Sequence, residues 1–295
     1  IEIVMTSREE YLEKAYGKEQ QERLLSRYRQ RKSNHWALRL KLGEDLFKEY
    51  SNWCKENRVE EPSIVLDVGC AIGTFAIEFA KKGYTAFGVD ISPEAIVIAD
   101  QLAEDEGVPQ ARFFCGDVRA WRPPKESEVQ SVDATIAMDL IEHLHDRELE
   151  EMLLSFKKFL KINGAVLFHT FPTRYEPIFF NRAKPYLSAI LSPFKKLPER
   201  FFSIFLEGWF HIFNLLYFVK HGQTYLDEIK GHGHCNPTTR RRLERIFERC
   251  GYKVIVIETG NLYRGMSSTW EPFYRKFDKQ PDAHRHIWGV VVRES

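Results

Sequence analysis

The chain has 295 residues, enough to bury a large core and hold one or two domains. Its 43 basic and 42 acidic residues nearly cancel, so no global field points to a nucleic acid or an anionic membrane. Five cysteines, at 54, 70, 115, 235 and 250, are odd in number and form no C-x-x-C pair, which argues against a disulfide framework or structural zinc and for reduced thiols in the cytoplasm.

At the N-terminus Ile1 to Thr6 is apolar but charges follow at once, so no signal peptide is expected. Ser7 to Asn57 reads as helices. Tyr11, Ala15, Leu24, Leu25 and Tyr28, then Trp36, Leu40, Leu46, Phe47, Tyr50 and Trp53, recur near helical spacing, with Ser33-Asn34 as break and N-cap. The basic run Arg27 to Lys32 is either a solvated helix face or a contact for an anionic acceptor. Pro62 closes this cap, residues 1–61, because the residue before a proline disfavours helix.

Ile64 to Leu66 with Val68 is an apolar run of the kind buried on both faces of a parallel sheet. It enters Gly69-Cys70-Ala71-Ile72-Gly73, and Thr74 to Ala80 then has helical periodicity. Asp67 stands two residues before the first glycine. A phosphate on the helix N-terminus would meet that carboxylate at an electrostatic cost, whereas an ammonium or sulfonium group would be attracted. Dinucleotide binding needs G-x-G-x-x-G, and Gly69, Ala71 and Thr74 occupy those positions, so that reading fails. Two further strand-like runs, Tyr84 to Val89 and Ala111 to Gly116, end in Asp90-Ile91 and Asp117-Val118. Between them Ser92 opens a helix with Pro93 at its first position, running to Glu106. Ligands of open α/β sheets bind at the carboxyl ends of the strands, so Asp67, Asp90 and Asp117 should line one crevice. Asp90 can accept from two ribose hydroxyls and Asp117 from an exocyclic amine.

In these three acids and the glycine turn the chain resembles the class I S-adenosylmethionine-dependent methyltransferases. The resemblance implies that Asp67, Gly69, Cys70, Ala71 and Gly73 hold the methionine end of the cofactor, Asp90 and Ile91 the ribose, and Asp117 and Val118 the adenine, with Asp139 also at the cofactor site. Ala71 replaces the family's middle glycine, which a negative φ would permit. The implied fold is α/β, a Rossmann-like seven-stranded, mostly parallel sheet with an antiparallel last strand, a cap at 1–61 and a cofactor-binding core at 62–172. A helical insert at 173–231 follows strand five, and 232–295 completes the sheet.

Val132 to Met138 is the fourth strand, Arg147 to Leu160 an amphipathic helix stopping at Asn163-Gly164, and Ala165 to Phe171 the fifth strand. Prolines at 177, 185, 193 and 198 then punctuate an aromatic-rich insert. Within it Phe201 to Val219 is apolar except for Ser203, Glu207, His211 and Asn214, apart from Gly208, and on a helix those four form one narrow stripe. A transmembrane span is not expected with these groups inside it. The expectation is a mostly buried helix showing the stripe to water, acting as a lid over the acceptor. A homodimer contact and a peripheral membrane or lipid contact stay open. Asn236 or Thr238 can cap a helix from Thr239 to Arg249, and Tyr252 to Glu258 and His286 to Val292 supply two last strands.

Asp139, Glu142 and His143 fall just past the fourth strand, at i, i+3 and i+4, suited to gripping a divalent cation such as magnesium. The order resembles a segment of ubiquinone-biosynthesis O-methyltransferases and of small-RNA 2′-O-methyltransferases, where a later His completes a magnesium site; here that would be His234. Asp139 replaces the glutamate usual there and is one methylene shorter. His143 without metal is a general base, and His169, ending strand five, is a second one. The resulting expectation is O-methylation of a small, lipid-linked or sugar-linked hydroxyl compound. The alternatives are an RNA methyltransferase using Arg27 to Lys32 and Arg240-Arg241-Arg242, which near-zero net charge opposes, and a cofactor-binding module without catalysis.

Overall fold

The structure, a computed structural model, describes residues 17–30, 34–124, 130–180, 190–231, 233–261 and 277–294. Tyr11, Ala15, Arg31, Lys32, Ser33, Pro185 and His232 of the sequence reading lie outside these. Seven strands pair in the order β3-β2-β1-β4-β5-β7-β6: β1 Ile64–Val68, β2 Thr85–Asp90, β3 Arg112–Cys115, β4 Val132–Met138, β5 Leu160–Thr170, β6 Tyr252–Gly260 and β7 His286–Arg293. All neighbours are parallel except β7, which runs antiparallel to both β5 and β6. The order reverses between β1 and β4, leaving a crevice at their carboxyl ends, where ligands of open α/β sheets bind.

Helices cover both faces, as a parallel sheet requires. On one side lie α1 (Lys18–Gln30), α2 (Asn34–Glu56), α3 (Thr74–Lys81) and α4 (Pro93–Asp105), with Phe47, Tyr50, Phe79 and Leu102 in their core. On the other lie α5 (Asp146–Phe156) and α9 (Arg240–Arg249), joined by Phe156, Phe168 and Phe247. A third core, built on Tyr175, Phe202, Leu206 and Phe210, holds the insert of α6 (Glu176–Phe180), α7 (Glu199–His221) and α8 (Tyr225–Gly231).

Local signals set most boundaries. Ser92 caps α4 by accepting from the Ala95 N–H, with Pro93 next. Three local readings are corrected. The cap of α9 is Thr239, whose hydroxyl accepts from Arg242, while Asn236 donates to Asp146 and Thr238 is buried beside Thr173. Helix α5 ends at Phe156 and β5 begins at Leu160, because Lys158 and Phe159 close tight turns back to Ser155 and Phe156. Helix α7 is not mostly buried: Phe202, Leu206 and Phe210 are buried, and of its polar stripe Ser203 bonds Asp282 and Glu207 accepts from Arg174 and Tyr175, while His211, 71% exposed, faces water as expected.

Candidate active site

Asp67, at the end of β1, is 2% exposed. Burial pushes its carboxyl up to about 8, against the Ala76 and Phe75 backbone N–H groups that pull it down. Its Oδ2 has no hydrogen-bond partner among the described residues. Gly73 opens α3 at φ 76°, and a Cβ there would lie 2.3 Å from Phe113 Cε1, so only glycine fits. The expected negative φ at Ala71 is not seen. It lies at φ 46°, in the left-handed region that costs an L-residue roughly 1–2 kcal/mol, and its N–H donates to Asp90 Oδ2 at 2.8 Å.

Asp90 therefore braces the loop: its Oδ1 accepts from Ser92, and Gly116 donates to its carbonyl. Burial raises its pKa, opposed by bonds from Ser92, Ala71 and Ile91. Asp117 lies at the same edge of the sheet, exposed, and the Arg119 guanidinium, 2.6 Å from Oδ2, holds its carboxyl below the usual range. Cys70 is buried in the loop, Ile91 is exposed beside Asp90, and half-buried Val118 packs on the core under β3.

The second half of the crevice lies past β4 and β5. Asp139, at φ 56°, donates its N–H to the His169 carbonyl. Its Oδ2 lies 3.0 Å from Arg39 Nε, and its Oδ1 bonds His169 Nδ1. His169 is fully buried, with Nε2 3.1 Å from His286 Nδ1, so both ring nitrogens are engaged inside the protein. Asp139 thus faces Arg39 and His169, while Glu142, His143 and His234 form a separate cluster.

The donor atoms of those three lie within 4.8 Å of one another. Glu142 is fully buried on a 3₁₀ turn, Ile141–His143; Thr170 donates to its Oε2, and Oε1 has no hydrogen-bond partner among the described residues. Burial, then Asp139, pushes its pKa well up. His143 Nδ1 donates to the Gly233 carbonyl at 2.9 Å, which leaves Nε2 as the lone-pair nitrogen, and burial lowers its pKa. Asn236 donates its N–H to the Glu142 carbonyl, tying the segment of His234 to that turn. Phe171 lies 5.7 Å from the His234 ring and stacks on His286.

Arg39 and His286 were not singled out in the sequence. Arg39, 6% exposed on α2, sits over the Phe171 ring at 5.1 Å. Its signal was a cation in phase with the buried stripe of Leu46 and Tyr50, seven and eleven residues on. The arginine triplet is committed elsewhere: Arg240 and Arg241 meet Glu199 and Arg242 meets Asp146.

Solved structures share this fold. A protein from Pyrococcus horikoshii OT3 superposes with TM-score 0.51 at 15% identity, covering 89% of this chain and 92% of that one. A geranyl diphosphate methyltransferase in complex with GPP and sinefungin also gives 0.51 at 15%, covering 85% and 77%. In sequence, the ubiquinone biosynthesis O-methyltransferase of Paracidovorax citrulli is 30% identical over 106 residues, 36% of this chain and 42% of that protein. An O-antigen chain terminator bifunctional methyltransferase/kinase of Escherichia coli is 27% identical over 125 residues, 42% of this chain and 17% of that protein. The chain thus spans less than half the length of these two relatives. A family model described as a methyltransferase domain matches residues 36–257, well over half of the chain, and this chain therefore belongs to that family, the class I methyltransferases that use S-adenosylmethionine.

Proposed function

We propose that this chain methylates a hydroxyl group on a small, lipid-linked or sugar-linked acceptor. The observation that carries the reading is the cluster of buried Glu142 with half-buried His143 and His234, beside the aromatic ring of Phe171. The O-methyl chemistry in the name of the ubiquinone-biosynthesis relative supports it. S-adenosylmethionine, when bound, supplies an electrophilic methyl group on a sulfonium. The donor-side residues fit it: Asp67 offers a desolvated carboxyl oxygen without a hydrogen-bond partner among the described residues, and in the loop from Gly69 to Gly73 the one large side chain, Ile72, is buried in the core. The protein's task is then alignment and exclusion of water, worth about 7–11 kcal/mol of the barrier.

The acceptor proton is managed at the cluster. Glu142 Oε1, His143 Nε2 and His234 fit a divalent ion, which would lower the pKa of an acceptor hydroxyl. Two imidazoles with one carboxylate suit manganese, iron or zinc better than the magnesium expected from the sequence. The depressed pKa of His143 favours a second reading, a neutral imidazole acting as base without metal. The cysteines at 54, 70, 115, 235 and 250, none of them in a disulfide, fit the cytoplasmic setting that belongs to this proposal.

The test is transfer of labelled methyl to a panel of phenols, sugars and prenylated phenols. Chelator and His143→Ala should each lower the rate at least roughly 100-fold, with manganese restoring the chelated enzyme. Loss in the variant alone assigns the proton to the imidazole. Unchanged rates in both remove the cluster from the mechanism.

A further inference from the structure

Helix α7 packs one apolar ridge on the protein and turns a second apolar face to solvent. Phe202, Leu206 and Phe210, four residues apart, are buried against Tyr175, Ile178 and Phe179. On the flanks of that face Ser203 bonds Asp282, and Glu207 pairs with Arg174 at 2.6 Å. The opposite face carries Phe201, Ile204, Ile212, Leu215 and Val219, exposed by 61, 64, 48, 63 and 76%. With Gly208 these positions follow steps of three and four, one stripe about 27 Å long; Leu216 and Phe218 widen it, and the exposed His211 sits within it. A monomer in water rarely shows so many large apolar side chains on one helix face.

By length and composition α7 could cross a membrane. Its attachment argues otherwise, since a span would drag the Arg174–Glu207 pair and the packed inner face into the hydrocarbon. Lying flat needs no such burial. The charge at the ends of the stripe then selects the occupant. Lys195, Lys196 and Arg200 stand at one end, Lys220 and His221 at the other, and Glu199, the acid of the first turn, already pairs with Arg240 and Arg241. A second copy laid antiparallel would set one cationic end against the other, and a parallel copy would set each against itself. Anionic headgroups neutralise both ends at once.

We propose that this face of α7 docks on an anionic lipid bilayer, with the helix in the plane of the interface and its apolar stripe among the acyl chains. The docking stands on the helix alone, independently of the acceptor. It has a consequence for it, since Arg174 and Tyr175 follow closely on β5 and tie α7 to the edge of the crevice. A docked molecule would hold its active site close to lipid-borne acceptors.

The experiment is flotation with vesicles of phosphatidylcholine containing phosphatidylglycerol, against vesicles of phosphatidylcholine alone. The whole chain should float with the anionic vesicles and release in high salt. The double variant Ile212→Asp with Leu215→Asp, both at exposed positions, should bind at least roughly tenfold less, and Lys195→Glu with Lys196→Glu should also weaken binding. Binding of S-adenosylhomocysteine, measured by calorimetry, checks that the variants are folded and tests the cofactor reading separately. The proposal is overturned by a wild-type chain that does not float, or by undiminished flotation of the aspartate variant. A dimer seen by light scattering that the same substitutions dissolve, in a chain that does not float, assigns the face to a second copy and equally overturns it.

Discussion

Asp67 spends the donor-free state in an environment that disfavours its charge. Its pKa near 8 lies far above the ordinary 3.8, so between those values the folded protein holds a proton that the unfolded chain has released. Stability of the donor-free fold therefore falls as pH rises through that window. A cationic donor beside Oδ2 favours the ionised carboxylate and should expel the proton. Calorimetric titration with S-adenosylmethionine at pH 7, in buffers of different ionisation enthalpy, should show release of roughly one proton. Asp67→Asn should release none, bind at least roughly tenfold more weakly, and melt higher than the wild type at pH 8. Proton uptake by the wild type would contradict this account. The acid was legible in the sequence because its spacing from the glycines is local. That its Oδ2 has no hydrogen-bond partner among the described residues was not, since that depends on β2 and α3 closing around it.

At the scale of elements, α2 was legible as an amphipathic helix, and what it carries to the sheet was not. Arg39 joins Asp139 and the Phe171 ring, 100 and 132 residues away in the chain. Removing it takes the cation from a partly buried carboxylate that keeps its bond to His169, so Arg39→Ala should destabilise by about 2–4 kcal/mol in urea denaturation. Adding Asp139→Asn should recover part of that loss, a coupling a double-mutant cycle measures. Additive effects would mean the ion pair does not hold α2 on the crevice. Strand ends were read to within a residue or two where an apolar run meets a glycine or an acid, as at Val132–Met138. The start of β5 was missed because Leu160 to Gly164 pairs irregularly with β4, a register that only the neighbouring strand imposes.

Across the whole molecule, Glu142 and His143 meet His234 because the backbone of Asn236 bonds the turn after β4. A metal held there would clamp two segments far apart in the chain, so manganese at about 100 times its dissociation constant should stabilise the fold by about 2.7 kcal/mol. The shift should appear as a rise in melting temperature, be larger than with magnesium, and vanish in His234→Ala. An equal rise in that variant would place the ion elsewhere.

The chain's own pattern determined the seven strands, the glycine turn and the three acids at strand ends, because periodicity, turn chemistry and short spacings are local properties. It also determined that α7 would have one polar stripe. Which way that stripe points was decided by tertiary structure, since a helix is amphipathic about its own axis and only its neighbours choose the inner face. Arg174, Tyr175 and Asp282 draw Ser203 and Glu207 inward, His211 stays in water, and a second apolar side is left facing outward. The same reason governs Arg39 and His286: a charge or an imidazole acquires its role from groups that folding, not sequence proximity, places beside it.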